Sequence, residues 1–434
     1  MKRKNVWAAI ALTMMATVVA GCSKDDSNAD NSSIEPQPEP VVTPVELPTS
    51  MELTRAELEM VNSSNEFAFN LFRTAQDEKE SQILSPISIT YALGMLNNGA
   101  AGETRQQIDK VLGFSDAGAD SINDFCYKML QMAPTLDPLT KVMIANTIYM
   151  NKPYELKQEF VEKAKAFYNA EPETRDFHDG KTRDVINQWA SDHTDQMITE
   201  VLKEETFNPD AVSYLLNAIY FKGSWTLKFD KAETVDEHFV SVLLPDESET
   251  CDIRPLPMMH QLASFDYGET DDYQALRLPY GNGSFVMTVL LPKTDSRAVP
   301  QVPTAEAWQQ LNRRMYGHKV DVKLPRFEST TDINLKDIMM TLGMPDAFDG
   351  GKADFSNFCY TPTFIGQMKQ VAKINLDEEG TEAAAVTVIV MDKDDVGPDE
   401  PEHVINFHAN HPFLYVISEQ KTGAVFFIGQ FTGR

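Results

Sequence analysis

Basic residues and cysteines are both scarce in this chain of 434 residues, and each scarcity closes off a class of function. Only 38 Lys and Arg stand against 65 Asp and Glu, a formal charge of −27. The surface field therefore repels polyanions, and nucleic acid is excluded as a partner. The four cysteines, Cys22, Cys126, Cys251 and Cys359, lie far apart and include no CxxC pair, so they provide neither a disulfide framework nor a zinc site. No metal and no cofactor is expected. Enzyme signatures are missing as well: there is no GxSxG elbow and no HExxH. Gly180-Lys181-Thr182 is preceded by Arg175 where a Walker A motif needs its first glycine. His403, His408 and His411 cluster near the C-terminus, but their spacing and apolar neighbours read as strand histidines rather than metal ligands. A chain this rich in acids forms carboxylate pairs by accident, so none argues for a glycosidase-like dyad. With no positive sign of catalysis, the chain reads as a non-enzyme.

The N-terminus carries the first positive signal. Lys2, Arg3 and Lys4 precede an apolar run from Val6 to Ala20, and small residues lead to a cysteine. This is an export signal, too short to span a bilayer as a helix. Val19-Ala20-Gly21-Cys22 resembles the lipobox of bacterial lipoproteins, which implies removal of residues 1–21 and acylation of Cys22. Losing the three basic residues takes the charge from −27 to −30. Residues 22–52 contain no aromatic and are rich in Ser, Asp, Glu and Pro, the composition of a solvated tether. Lys24-Asp25-Asp26 resembles the surface-export signal of Bacteroidetes lipoproteins. The implied location is the outer membrane, lipid-anchored and facing outward, with a periplasmic orientation as the alternative.

From residue 53 to 434 there is no second linker and no repeat, so a single domain is expected. Leu58, Val61, Phe67, Phe69 and Leu71 recur with helical spacing over 54–74. A second helix is expected after Ser85-Pro86, with the serine as cap and the proline in the first turn. Residues 284–292 read as a buried strand and 320–327 as a half-buried one. Two apolar runs around Lys421-Thr422-Gly423 predict a hairpin near the C-terminus. Helices interspersed with long strands indicate an α+β fold.

One segment obeys neither pattern. Residues 378–390, EEGTEAAAVTVIV, combine alanines with strand-forming residues. Laid out as a strand, one face carries Thr381, Ala383, Ala385, Thr387 and Ile389, and the other carries Glu382. The first face starts small and uncharged, so it could enter an already packed sheet. Beyond it, residues 391–403 are polar and rich in breakers, hence an exposed, cleavable loop.

The hinge Glu378-Glu379-Gly380-Thr381-Glu382-Ala383-Ala384-Ala385 resembles that of inhibitory serpins. ILSPISITYALGMLNNGAAGETRQQI (83–108), LLNAIYFKGSW (215–225) and HPFLYVISEQKTGAVFFIGQF (411–431) are similar to three further serpin segments, in the right order. The resemblance spans nearly all of 55–434. It implies a serpin fold of about eight to nine helices around three β-sheets, with an exposed reactive-centre loop at about 378–404. It also implies a suicide inhibitor: a serine or cysteine endopeptidase cleaves the loop, stays esterified to it, and is carried off as the loop inserts into the central sheet. Carried over by residue, Gly380 is the pivot and Thr381 the first side chain to enter. Ser85, Ser88, Asn217 and Gln370 match the shutter cluster, Gln370 standing where most members have histidine. Trp225 matches the breach where insertion starts. The family's loop count places the reactive bond at Asp394–Asp395, with Lys393, Met391 and Val390 as alternative sites.

The implied partners are a target protease, held covalently, and a membrane, through the lipid on Cys22. The protein is expected to be a monomer. The region 121–133 has one lysine, so no glycosaminoglycan cofactor is expected. The rival reading is a non-inhibitory serpin, cleaved as a substrate or used for binding at the cell surface. Bulky, charged or proline residues in the hinge would favour that rival, and this hinge has no such substitution at its inward positions.

Overall fold

The computed structural model describes residues 48–242, 253–294, 298–381 and 403–434. Cys22, Cys251, the hinge residues Glu382, Ala383, Ala384 and Ala385, and the bait residues Val390, Met391, Lys393, Asp394 and Asp395 lie outside them. The tether expected to run through residue 52 gives way to docked chain earlier. The Thr49 N–H donates to Ser284 Oγ at 3.0 Å, its hydroxyl donates to the Leu136 carbonyl, and Met51 is buried. A single large apolar side chain, Met51, supplies the anchor that the polar composition around it conceals.

Eight α-helices fall among the described residues. They are α1 (Arg55–Ala75), α2 (Pro86–Asn97), α3 (Gly102–Leu112), α4 (Ala119–Met132), α5 (Gln158–Tyr168), α6 (Lys181–His193), α7 (Ala305–Asn312) and α8 (Lys336–Leu342). Thr54 and Glu57 close a reciprocal capping box at the start of α1. Val61, Phe67, Phe69 and Leu71 bury one face of α1, whereas Leu58 stays exposed. Helix α2 is apolar nearly all round, as a helix enclosed by protein must be, and packs against both sheets. Pro86 takes its first turn as expected, but Ser85 does not cap it. The Ser85 hydroxyl donates instead to the Phe426 carbonyl at 2.9 Å.

The strands up to residue 240 are β1 (Gln82–Leu84), β2 (Thr140–Asn151), β3 (Glu173–Arg175), β4 (Ser213–Ser224) and β5 (Val235–Val240). Then follow β6 (Ile253–Glu269), β7 (Tyr273–Tyr280), β8 (Phe285–Pro292), β9 (Tyr316–Pro325), β10 (Phe327–Asn334) and β11 (Lys369–Asp377). The last are β12 (Gly380–Thr381), β13 (Ile405–His408), β14 (Phe413–Glu419) and β15 (Val425–Phe431). They form two hydrogen-bonded networks, an α+β architecture. One, of six strands, has the order β10-β11-β12-β4-β2-β3; the other, of nine, runs β1-β15-β14-β8-β7-β6-β9-β13 with β5 on β6. The architecture agrees with the expected fold of helices around β-sheets. The 17-residue β6 pairs with β5 and β9 over one part and with β7 at its end, and so joins two strand groups into one network.

Strands β14 and β15 are buried along their whole length. Their hairpin turns at Lys421-Thr422-Gly423, where Glu419 accepts from the N–H groups of Lys421 and Thr422. The six-stranded network has a different character. β12 runs antiparallel to both β11 and β4, which are thus parallel to each other, and it is only two residues long. Among the described residues β4 and β11 are paired nowhere with each other.

Candidate functional site

The head of this seam is built from the hinge. Gly380 pairs with Asp377 and Ser224, and Thr381 with Leu376 and Gly223. Gly380 adopts φ +147°, and a Cβ there would overlap the Gly223 carbonyl oxygen, so only glycine fits. Asp377 Oδ1 turns the chain by accepting from the N–H groups of Glu379 (2.9 Å) and Gly380 (3.2 Å). The Trp225 N–H donates to the Glu379 carbonyl at 2.8 Å, and its Nε1 donates to the Asp377 carbonyl at 2.9 Å. Trp225 stacks on Tyr280 with centroids 4.4 Å apart. The Tyr280 hydroxyl lies 2.6 Å from Thr381 Oγ1, and Thr381 is 1% exposed. Burial pushes the Tyr280 hydroxyl far above the usual tyrosine range, so it stays a neutral hydrogen-bonding group.

The two hinge glutamates are held by different partners. Glu379 forms ion pairs with Lys228 at 2.7 Å and Lys231 at 3.2 Å. The Lys228 hydrogen bond, joined by Lys231, outweighs burial and holds the Glu379 carboxyl below its usual range. Glu378 is buried. It accepts from the Thr234 hydroxyl at 2.8 Å and faces Arg326 at 3.5 Å.

Farther along the seam, β4 and β11 border a cavity of about 540 Å³. Ser88 and Ile89 of α2 contribute to it, with Asn217 and Asp210 on the β4 side and Gln370 and Thr363 on the β11 side. Three of the four shutter residues come together. Gln370 Oε1 accepts from the Ser85 N–H (3.1 Å), and Nε2 donates to the Ser85 carbonyl and to Ser88 Oγ (both 2.9 Å). Asn217 stands apart from them, donating to Asn146 Oδ1 at 2.8 Å across β2 and β4. The seam thus runs between Asn217 and the Gln370 cluster.

Of the histidines, His408 in β13 contacts Asp321 Oδ2 at 3.0 Å, and His411 Nε2 lies 3.0 Å from the Pro292 carbonyl. No group of three His, Cys, Asp or Glu placed to hold a metal occurs among the described residues. Cys126 and Cys359 are both free and buried. In the 121–133 region, Lys128 pairs with Glu57 at 2.8 Å. Tyr280, Lys228, Arg326 and Asp377 were not singled out from the sequence. They come from four separate segments and no local motif links them, though Lys228 follows Trp225 by three residues.

Among the described residues, then, the six-stranded network is bridged between β4 and β11 only at its head, by Gly380 and Thr381. The model of the family described as Serpin (serine protease inhibitor) matches residues 62–433. Serpin B3 of Homo sapiens is 33% identical over 396 residues, covering 85% of this chain and 98% of its own. A serpin-like protein of Thermococcus kodakarensis is 30% identical over 376 residues, with 86% of this chain and 85% of that one covered. The solved structure of tengpin, a thermophilic serpin in the native state, matches with a TM-score of 0.76 at 26% identity, covering 89% of this chain and 97% of that one. The chain belongs to the serpin family.

Proposed function

We propose that the protein is a suicide-substrate inhibitor of endopeptidases, serine enzymes first and cysteine enzymes second. The observation that carries this reading is the buried, hydrogen-bonded Thr381 in a two-residue strand at the head of a seam that has no further pairing among the described residues. If insertion continues the register set by Gly380 and Thr381, Thr387 meets Asn217 and Gln370, and Asp394 meets Asp210 and Thr363. All four of these partners line the cavity, which supports a slot as long as the loop that would fill it.

The energetics suffice. Ten or so new ladder bonds at about 1 kcal/mol net each give on the order of 10 kcal/mol. Losing one oxyanion donor costs a protease about 3–4 kcal/mol, so insertion can distort the acyl-enzyme enough to stall it. Asp394–Asp395 is the proposed reactive bond, and a lipid on Cys22 the proposed attachment to the outer membrane, facing outward.

The test uses residues 23–434 with a panel containing trypsin, elastase and an aspartyl-cutting or glutamyl-cutting protease. A complex that survives denaturing electrophoresis is expected with at least one, and mass spectrometry of the released C-terminal peptide identifies the bond. Clean cleavage by every protease, with no complex and no gain in heat stability, would sink the proposal.

A further inference from the structure

A second cavity borders α7. It holds about 500 Å³, within the range of small-molecule sites, and shares no lining residue with the hinge or with the cavity between β4 and β11. Its apolar lining includes Leu290 of β8, Trp308 and Leu311 of α7, and Val299, Pro300 and Val302 of the segment that connects them. No residue of α1, β14 or β15 lines it.

The connecting segment is anchored along its length. Pro300 and Pro303 have fixed φ and no N–H, which stiffens it. Four consecutive carbonyls are tied to neighbouring elements. Pro300 accepts from Gln76 Nε2 at 2.8 Å, Gln301 from the Tyr273 hydroxyl, and Val302 and Pro303 from Arg73 Nη2 at 3.4 and 2.9 Å. Arg73 and Gln76 stand at the end of α1, and Tyr273 opens β7. A stiff wall held at four successive points cannot fold down to fill the hollow.

Two features say what the hollow suits. Trp308 is 1% exposed, yet its Nε1–H has no acceptor, a loss that protein interiors seldom leave uncompensated. Asp271 and Asp272, exposed between β6 and β7, also line the cavity, and neither forms an ion pair among the described residues. No described lining residue is basic, and the adjacent Lys293 is engaged by Glu269 at 2.5 Å. The cavity thus combines an apolar body, one buried donor and two carboxylates without a counter-charge.

We propose that this cavity binds a small aromatic amine that also carries an oxygen acceptor. The ring lies among Leu290, Trp308 and the proline-bearing wall, the oxygen accepts from the Trp308 N–H, and the ammonium faces Asp271 and Asp272. A neutral molecule leaves the carboxylates unmatched, and an amine without oxygen leaves the indole unmatched. The site uses no residue of the seam, so its failure would leave the reading of loop insertion untouched.

The test is calorimetric titration of residues 23–434 with tyramine, with 4-ethylphenol, which lacks the ammonium, and with phenethylamine, which lacks the oxygen. Tyramine should bind with a Kd of about 1 mM or tighter, and each of the other two about tenfold more weakly, the worth of one good hydrogen bond. Asp271→Asn combined with Asp272→Asn should erase the preference for tyramine over 4-ethylphenol. Trp308→Phe should erase the preference over phenethylamine. Ala307→Trp, at an exposed lining position of α7, fills the cavity and serves if Trp308→Phe fails to fold; it should abolish binding and leave the melting temperature unchanged. No heat of binding at tenfold that concentration, equal binding of the three probes, or tyramine binding that survives Ala307→Trp overturns the proposal.

Discussion

Replacing Thr381 by arginine tests the mechanism at its first step. Thr381 is buried, pairs across the ladder with Leu376 and Gly223, and has its hydroxyl against that of Tyr280, and none of these three carries a negative charge to offset a guanidinium. Leaving a charge buried without a partner costs about 3–5 kcal/mol. At about 1.4 kcal/mol per tenfold, entry of the hinge slows by roughly two to three and a half orders of magnitude. The deacylation rate of the protease is unchanged, so most acyl-enzymes hydrolyse before they are trapped. The assay is the number of inhibitor molecules consumed per protease molecule blocked. It should be near one for the wild type and rise to the order of ten or more for Thr381→Arg, given that slowing. Thr381→Ser keeps the hydroxyl and should behave like the wild type. The cost stays below the roughly 10 kcal/mol gained on full insertion, so the cut variant should still become more heat-resistant. Trapping and final stability should therefore part company. A Thr381→Arg protein that blocks protease with wild-type stoichiometry would refute the inward placement of this side chain.

Two further outcomes are expected. The Glu379 carboxyl is held below its usual value near 4.5, so its stabilisation of the hinge is fully present above that value and is lost as pH falls through the depressed one. Acid should therefore loosen the pairing of Gly380 and Thr381 as measured by hydrogen exchange, and Glu379→Gln should flatten that acid limb. Gln370→Leu strips three hydrogen bonds and leaves the buried Ser85 N–H unpaired, a loss of about 2–4 kcal/mol visible as a lower melting temperature. Gln370→His should instead make the melting temperature depend on pH between about 5 and 8, where histidine titrates.

The parts of the molecule that could be read from sequence are those governed by local rules. The helical spacing over 54–74, the proline in the first turn of α2 and the turn at Gly423 each depend on nearby residues. The hinge stood out in the sequence for another reason: its alanines suit a segment that would have to enter a packed sheet. What escaped depends on long-range contact. Ser85 looked like a cap but serves Phe426, some 340 residues away. Asn217 was grouped with Gln370, yet bonds to Asn146 on β2, and among the described residues its strand β4 is not paired with the strand of Gln370. His260, Asp321 and His408 come from three strands and fit no spacing rule. Only the register of β6, β9 and β13 brings them together.

Trp225 has an optical consequence. Its indole is stacked on Tyr280, hydrogen-bonded to the Asp377 carbonyl and only 2% exposed. The chain has four tryptophans; Trp7 lies outside the described residues, Trp189 is on α6 beside His193, and Trp308 is on α7 against Phe69. Among the described tryptophans, Trp225 is the one hydrogen-bonded to the chain leading into the hinge. Its emission is thus a native gauge of the head of the seam, able to time the proposed strand entry in a stopped-flow instrument with no dye attached to the protein.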